Sequence, residues 1–562
     1  MGKDHPEAVE TTWSLSFEKV KQANPAAAEL LQFCAFLSPD AIPLQVITEG
    51  SPALGPVLGP ATASKLVLNA AIGELLKYSL VRRDPDTGTL TIHRLVQVVI
   101  KDAMDEHTQL QWVERSIRAL DKVLSTIDFK AWGKARRQCE QYLPHAQVCA
   151  ALIKQWNIAS LEAAQLLYKA GTYLCDSGQY EEAESLLQQA LTIRKKVLGE
   201  EHRAIAECLN RLSWLYIFQL KFTEAESLAQ HAVTICKKVL GEEHRDTARS
   251  FNYLAMAYQV VGKNTEAESL LQHALSIRQK VLGEDDLETA ESYNILGMLY
   301  LFQNSYEEAR PLLLRDLAIC QKILGVDPRT ARSLNCLAFF YMALNDYEKA
   351  ESYCQQALAI YKKILGPDHP STAMALTMLA NVYFTQGGYN QAEVHYQQAL
   401  AIYEKVGSPE YTVGVKSSLA DVYASQRKYN QAEVYYQQAL DTYQKEGASA
   451  YPSTAAALIK LANVYVAQGK YDQAEPYYLQ SLDLYQKTTG PNHPYTASQM
   501  SILANFYFLQ GKYTQAKMYY QQALDIFQRT LGFNHPYTLN AHNGLAKASA
   551  AQAGRQGRPY LY

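Results

Sequence analysis

One short phrase recurs nine times along this chain of 562 residues at an almost constant spacing. In its regular form it reads Tyr-x-x-Ala-Glu, as from Tyr180 to Glu184 and from Tyr471 to Glu475. The alanines of the nine copies are 40 to 42 residues apart, at positions 183, 225, 267, 309, 350, 392, 432, 474 and 516. A register this regular indicates a repeat array, in which each unit packs on its neighbours instead of around one central core.

Each repeat predicts a pair of helices. The first helix carries Leu-(Ala/Gly)-x-x-Tyr, as at Leu461 and Tyr465, and residues four apart share one face of a helix. A Gly-containing turn follows, and the second helix then places Ala474, Tyr478 and Leu482 on one apolar stripe. Tyrosine pairs in the second helices, such as Tyr435-Tyr436, are predicted to fill gaps between helices and to leave their hydroxyls in water.

Most repeats end in Leu-Gly-x-x-His, as from Leu198 to His202. Glycine suits the left-handed residue that follows a helix. The histidines recur about once per repeat, in the loops that join helices, and this spacing predicts loop capping and no metal site.

These residues resemble the tetratricopeptide repeat, in the lengthened 42-residue form found in kinesin light chains. The resemblance covers residues 161–553 and implies a mostly α fold, a right-handed α-solenoid of about nine repeats. Residues 537–553 are predicted to form a lone capping helix, and residues 554–562 a flexible tail. The resemblance also implies that the array binds a peptide or protein in a concave groove.

In this family the first helices line the groove, and the positions two before and two after the conserved leucine project into it. The asparagine row is the set two before that leucine in repeats two to five: Asn210, Asn252, Asn294 and Asn335. The apolar row is the set two after it in the same repeats: Trp214, Met256, Met298 and Phe339. The amide row is the set two after it in repeats six to nine: Asn381, Asp421, Asn463 and Asn505.

These three rows are the predicted peptide-binding residues. An asparagine side chain both donates and accepts hydrogen bonds, which suits the backbone of an extended peptide. The apolar row offers anchors for peptide side chains. Two alternatives stay open: the asparagines are only solvated polar residues copied by duplication, or packing within the array buries the apolar row. Lys and Arg are absent from both positions, so the groove is not a basic clamp for a C-terminal carboxylate.

Residues 1–106 lack the 42-residue period and predict a winged helix. Helices are expected at 10–22, 26–37, 65–78 and 94–106, with a loop at Ser51–Pro60. Two apolar-alternating runs flank a Pro-Asp-Thr-Gly turn at 85–88 and predict a β-hairpin. Residues 107–160 are expected to be a helical linker to the array.

Two families share such an N-terminal domain. DNA-binding winged helices need a basic surface, but residues 1–130 carry 13 Lys and Arg against 16 Asp and Glu. The segments from Phe33 to Pro43 and from Leu80 to Val96 resemble the winged helix of STAND-type signalling NTPases, relatives of NB-ARC proteins. In that family a Met-His-Asp histidine reaches the β-phosphate of ADP, which implies nucleotide sensing by His93. Arg94 replaces the acid, and no Gly-x-x-x-x-Gly-Lys-(Ser/Thr) loop is present for an NTPase domain.

Composition narrows the remaining classes. The net charge is −3, the nine cysteines form no C-x-x-C pair, and no run of 18 apolar residues occurs. We therefore predict a cytoplasmic protein without a membrane or nucleic-acid partner, without a metal or cofactor, and without enzymatic activity. The predicted function is protein binding, as the sensor part of a STAND-type ATPase whose NTPase domain acts in cis or in trans. The alternatives are a stand-alone scaffold and, less favoured, a winged-helix transcription regulator.

Overall fold

The computed structural model describes residues 15–127, 132–219, 221–406, 409–446, 451–533 and 535–556. Within these ranges the chain forms two compact units, one up to Thr372 and one from Ala373. The first unit contains the N-terminal domain and repeats one to five, and the second contains repeats six to nine. No helix in these ranges is long and apolar enough to cross a lipid bilayer.

The N-terminal domain packs helices against a small antiparallel sheet of order β1–β3–β2. Its helices are 15–23 (α1), Pro25–Ala35 (α2), Leu44–Glu49 (α3), Gly55–Ala63 (α4), Lys65–Lys77 (α5) and Arg94–Asp102 (α6). Its strands are Ile42–Pro43 (β1), Val81–Asp84 (β2) and Thr89–Ile92 (β3). The hairpin β2–β3 confirms the prediction, with Val81 opposite Ile92. Strand β1 was not predicted, because two residues are too few to show an alternating pattern. Residues 10–14 of the first predicted helix lie outside the described ranges.

The loop predicted at Ser51–Pro60 is wrong. A 3₁₀ turn covers Ser51–Ala53, and α4 runs through Pro60. Pro56 lies in the first turn of α4, where a missing N–H costs little. Leu58 is fully buried, and its N–H donates to Glu29 Oε2 at 2.8 Å. Burial of this apolar side therefore outweighs the poor helix propensity of the Pro/Gly-rich sequence.

Helices Glu106–Ser125 (α7) and Trp132–Gln155 (α8) occupy the segment predicted as a helical linker. One continuous apolar core runs from the N-terminal domain through both helices into the first two repeats. Trp112, Leu120 and Tyr142 are buried in it. The expected boundaries at residues 106 and 160 thus do not coincide with a break in the core.

The array consists of paired helices, two for each repeat, followed by one more helix. The first helices are Leu161–Asp176 (α9), Arg203–Phe218 (α11), Arg245–Val260 (α13), Leu287–Phe302 (α15), Pro328–Ala343 (α17), Pro370–Thr385 (α19), Pro409–Ser425 (α21), Tyr451–Ala467 (α23) and Pro494–Leu509 (α25). The second helices are Tyr180–Leu198 (α10), Phe222–Leu240 (α12), Asn264–Leu282 (α14), Tyr306–Leu324 (α16), Tyr347–Ile364 (α18), Tyr389–Val406 (α20), Tyr429–Glu446 (α22), Tyr471–Thr488 (α24) and Tyr513–Leu531 (α26). Pro536–Gln556 (α27) ends the array. The predicted fold class, a mostly α repeat array behind a small domain with a β-hairpin, is confirmed.

The loops between repeats explain the Leu-Gly-x-x-His phrase. Gly241 has φ of 88°, a conformation that a residue with a Cβ rarely adopts. The Nδ1 atom of His244 accepts the backbone N–H of Asp246 at 3.1 Å, and Thr247 donates to the Gly241 carbonyl at 2.7 Å. The same cap forms at His202, His369, His493 and His535. The predicted capping role of these histidines is confirmed.

Helix α27 covers the last repeat as the predicted capping helix. Gly544 lies directly against the ring of Tyr520, where a Cβ atom would come within 2.4 Å of the ring. The helix extends to Gln556, so residues 554–556 belong to it and not to a tail. The rest of the predicted tail, 557–562, lies outside the described residues.

Candidate functional site

The asparagine row lies beneath the surface of the first helices, not on it. All four side chains are buried. Asn210 Nδ2 donates to Ser250 Oγ at 2.8 Å, and Asn252 Nδ2 donates to Ser292 Oγ at 3.1 Å. Each bond joins the first helix of one repeat to the first helix of the next. The structure thus revises the position expected for these side chains: all four are buried, and Asn210 and Asn252 tie neighbouring repeats together.

The last two members of the row have other surroundings. Asn294 Nδ2 donates at 2.7 Å to Asp316, a buried carboxylate on α16 whose pKa is raised by burial. Asn335 is buried and neither its Oδ1 nor its Nδ2 has a hydrogen-bond partner among the described residues. A buried amide in this state is costly. A role of the asparagine row in ligand contact stays a prediction.

Asn252→Ala should therefore act first on stability. It removes the bond to Ser292 and leaves a small cavity, so we expect the free energy of unfolding to fall by about 1–2 kcal/mol in urea titrations. Asn264→Ala is the matched control in the same unit, because that amide is exposed; its change should stay within about 0.5 kcal/mol. Equal stability of the Asn252 variant and the wild type would contradict the assigned role.

The apolar row is half-buried and accessible, as a contact surface requires. Trp214 packs against Phe218 with ring centroids 4.4 Å apart, and Phe339 packs against Phe302 at 5.8 Å. Phe302 is 64% exposed. Phe218, Val260 and Phe302 lie one helical turn beyond the apolar row and widen it. Sequence reasoning missed them, although the i, i+4 spacing could have identified them.

A band of paired charges crosses the first helices beside the apolar row. The Asp246 carboxylate forms two ion pairs. It lies 2.9 Å from Nε of Arg203, which belongs to α11, and 3.1 Å from Nη1 of Arg249, which belongs to the same helix as Asp246. Arg249 also reaches Glu288 of α15 at 3.0 Å. On α11, Arg211 donates to both carboxylate oxygens of Asp176, and this ion pair keeps the guanidinium protonated, raising its pKa although burial alone lowers it.

We call these five residues, together with Asp176, the charged band. It was not predicted, because its members stand at positions other than the two examined. The band contains three arginines and three acids, so its formal charges balance. The surface of the first unit therefore presents the apolar row next to the charged band.

The amide row lies at the surface of the second unit, and tyrosines fix its orientation. Tyr396, Tyr436, Tyr478 and Tyr520 donate their hydroxyl protons to Asn381, Asp421, Asn463 and Asn505, each 15 residues earlier. The expectation that such tyrosines leave their hydroxyls in water is wrong for this set. No described residue accepts a hydrogen bond from Nδ2 of Asn381, Asn463 or Asn505. These N–H groups remain available at the surface.

Asp421 is the one carboxylate in the amide row. Its Oδ2 is 2.6 Å from Lys460 Nζ, so a lysine supplies the donor that the amide supplies elsewhere. Burial and the nearby Asp421 raise the pKa of Tyr436, which keeps the hydroxyl protonated as a donor. All four positions thus present N–H donors toward solvent, directly or through Lys460.

The change from apolar row to amide row coincides with a change in the second helices. At the place of the four tyrosines, repeats two to five carry Ala229, Leu271, Leu313 and Cys354. An aliphatic or small residue there offers no hydroxyl, and the facing position is then apolar. The exchange occurs between repeats five and six, where the two compact units also divide. The array therefore carries two chemically different surfaces, one in each unit.

His93 stands at the N-terminus of α6 with an exposed side chain. Its Nδ1 accepts the N–H of Leu95 at 3.2 Å, the same cap that the repeat histidines make. Nucleotide sensing by His93 stays a prediction. The described residues contain no cluster of three or more His, Cys, Asp or Glu side chains arranged to hold a metal ion.

Two family profiles match the chain. The tetratricopeptide repeat profile matches residues 162–238, 246–322, 329–405, 411–487, 453–503 and 495–558. A domain of unknown function, DUF7779, matches residues 16–109.

Several known proteins are similar to parts of the chain. A nucleotide-binding leucine-rich repeat (NLR)-like protein of Hyaloscypha variabilis is 34% identical over 192 residues, which are 34% of this chain and 18% of that protein. The chain thus spans about a fifth of the length of this relative. A STAND protein with a tetratricopeptide repeat sensor from Pyrococcus horikoshii is 15% identical, covering 96% of this chain and 65% of that one (TM-score 0.43). Kinesin light chain-type repeats from Podosopora anserina are 30% identical, covering 36% of this chain and 98% of that one (TM-score 0.31).

Proposed function

Because this chain belongs to the tetratricopeptide repeat family, we propose that it is a non-enzymatic protein-interaction module whose two units bind two different protein segments. The observation that carries this proposal is the exchange of the apolar row for the amide row between repeats five and six.

The first-unit surface suits an amphipathic segment. The half-buried Trp214 and Phe339 with the exposed Phe302 form anchors of the kind that dominate binding energy. The charged band beside these anchors would form ion pairs with charged side chains on the polar face of the bound segment. Because its charges are already paired, the band contributes specificity and orientation more than affinity.

The second-unit surface suits the backbone of an extended segment. The Oδ1 atoms of Asn381, Asn463 and Asn505 are held by tyrosine hydroxyls, so the Nδ2 groups are free to donate. Such donors recognise the backbone carbonyl groups of a ligand, whatever side chains the ligand carries. Neighbouring helices pack about 9 Å apart and an extended chain rises about 3.3 Å per residue. One donor per repeat therefore matches every third residue of the ligand. The asparagine row supports the first-unit surface from below.

For the cellular role we propose the sensor part of a STAND-type signalling ATPase. The N-terminal domain in front of a repeat array and the NLR-like relative support it. The NTPase domain would act in cis or in trans, and His93 would then face its nucleotide. A stand-alone scaffold is the alternative, and the intact mass of the native polypeptide separates it from a cis arrangement.

A peptide selection on the full chain tests the two-surface proposal. Displayed random peptides of about 15 residues should yield two classes, one rich in apolar residues and one without side-chain consensus. Met298→Asp with Phe339→Asp should weaken the first class at least thirty-fold, as expected for loss of central anchors. Asn463→Ala with Asn505→Ala should weaken the second class about ten-fold. Fluorescence polarisation with labelled peptides measures both.

Two control variants stand on other surfaces. Val239→Asp puts a carboxylate on an exposed apolar position of α12, and Asn492→Ala removes an amide from a loop. Neither should change affinity. Survival of both peptide classes in both double variants would refute the assignment of the groove.

A further inference from the structure

A cavity of about 630 Å³ lies between the N-terminal domain and the array. Its walls are the turn from Gly50 to Gly55, one face of α7, and Glu162 of α9. It belongs to neither surface discussed above. Because three parts of the first unit meet here, a molecule in this cavity would contact the N-terminal domain and the first repeat together.

Arg115 of α7 lines the cavity and is held in place without an ionic partner among the described residues. Its guanidinium lies 4.5 Å from the ring centroid of the buried Trp112. On another side it fills the space next to Gly55, where a Cβ atom would be 2.7 Å from Cζ. Gly55 has φ of 91°, so glycine is required there and leaves room for the guanidinium. No described residue accepts a hydrogen bond from Arg115.

The charges around Arg115 leave a positive surplus. Arg118 and Lys122 follow on the same face of α7 and also line the cavity. Arg118 is paired with Glu114 at 3.0 Å. Asp121 is occupied by Lys169, 2.5 Å away, which also bonds Ser125. Among the described residues that line the cavity, Glu162 is the only acid without a basic partner, and Arg115 and Lys122 are the bases without an acidic partner.

We propose that this cavity binds a small molecule through a phosphate group. A guanidinium fixed by stacking presents parallel N–H donors without further loss of side-chain freedom, and this geometry fits phosphate oxygens. A phosphate carries more charge than one carboxylate and thus matches the two unpaired cations, Arg115 and Lys122, on one face of α7. The volume lies in the range of ordinary ligand pockets and exceeds what a single carboxylate needs.

Calorimetric titration of the full chain with inorganic pyrophosphate, at about 50 mM salt, tests the site. Arg115→Gln should weaken binding at least ten-fold. Gly55→Ala should weaken it similarly with the net charge unchanged, because the new methyl group displaces the guanidinium. Arg118→Gln is the matched control on the same helix and should change affinity less than about three-fold, since Arg118 is already paired.

Thermal melts of each variant verify the fold. Equal pyrophosphate affinity of wild type and Arg115→Gln would overturn the proposal, as would the absence of binding by the wild type. A parallel titration with succinate separates the two possible anions. Tighter binding of succinate than of pyrophosphate would assign the cavity to a carboxylate and overturn the phosphate assignment.

Discussion

Arg278→Ala should lower the free energy of unfolding of the first unit by about 3–5 kcal/mol, the range found when one member of a buried ionic network is removed. Arg278 on α14 is the largest of the fully buried side chains, at 0% exposure. Its Nη1 donates to the Glu288 carbonyl and, at 2.9 Å, to Ser292 Oγ. It also lies 3.3 Å from Glu291. Truncation removes the partner of the Glu288 carbonyl and of the Glu291 carboxylate, takes away one of the two donors to Ser292 Oγ, and opens a cavity.

The same replacement reaches the asparagine row. Ser292 accepts hydrogen bonds from both Arg278 and Asn252, so loss of the arginine loosens the link between α13 and α15. Urea denaturation followed by circular dichroism measures the effect as unfolding at a lower urea concentration. Lys280→Ala on the same helix is the control, because Lys280 is 71% exposed and its ion pair is with Glu243, which is exposed too. An unfolding curve of the Arg278 variant equal to that of the wild type would show that the network adds nothing to stability.

The period of the repeats was enough to predict the helices, because one apolar stripe per helix fixes which faces pack. It could not fix the depth of a polar side chain. Whether Asn252 faces the groove or the next first helix depends on how adjacent repeats rotate against each other. That rotation comes from packing between repeats, and no single helix encodes it. The asparagine row was therefore found correctly as a pattern, and its position came from the structure.

The tyrosines of the amide row carried a signal that could have been read. Tyr478 stands at a repeat position where repeats two to five carry an aliphatic or small residue. Asn463 stands at a second position, where the same repeats carry an apolar residue, and both changes begin at repeat six. Two positions that change together are candidates for contact. The arginines of the charged band carried no such signal, because Arg203 and Asp246 occupy different positions of neighbouring repeats. Their pairing depends on the lateral offset of α11 and α13.

The continuous core between the N-terminal domain and the array bears on the proposed sensor role. A sensor must pass a change at its groove to the domain that answers it, and this requires elements that move together. Helices α7 and α8 share buried side chains with both neighbours, so in the proposed role we expect a displacement of the first repeats to reach the N-terminal domain through this core. A flexible linker would not transmit it.

Stability of the first unit should fall as the pH drops from 7 to 5, by about 2 kcal/mol through His145 alone. His145 of α8 is buried, and its Nδ1 has no hydrogen-bond partner among the described residues. Burial lowers the pKa of His145 to about 4, against a backbone hydrogen bond with Ala41 that acts to raise it. The unfolded chain, with a histidine pKa of 6.5, takes up the proton first. Stability is therefore complete above pH 6.5 and is lost progressively down to about pH 4.

His145→Gln isolates this contribution, because glutamine does not titrate. Urea midpoints measured between pH 4.5 and 7 should fall less steeply for this variant than for the wild type. His107→Gln is the control: His107 is exposed on α7 and should leave the slope unchanged. Equal slopes for wild type and His145→Gln would mean that α8 opens and hydrates this histidine before it is protonated. Since α8 lies between the N-terminal domain and the first repeat, that result would also remove the rigid connection on which the sensor proposal depends.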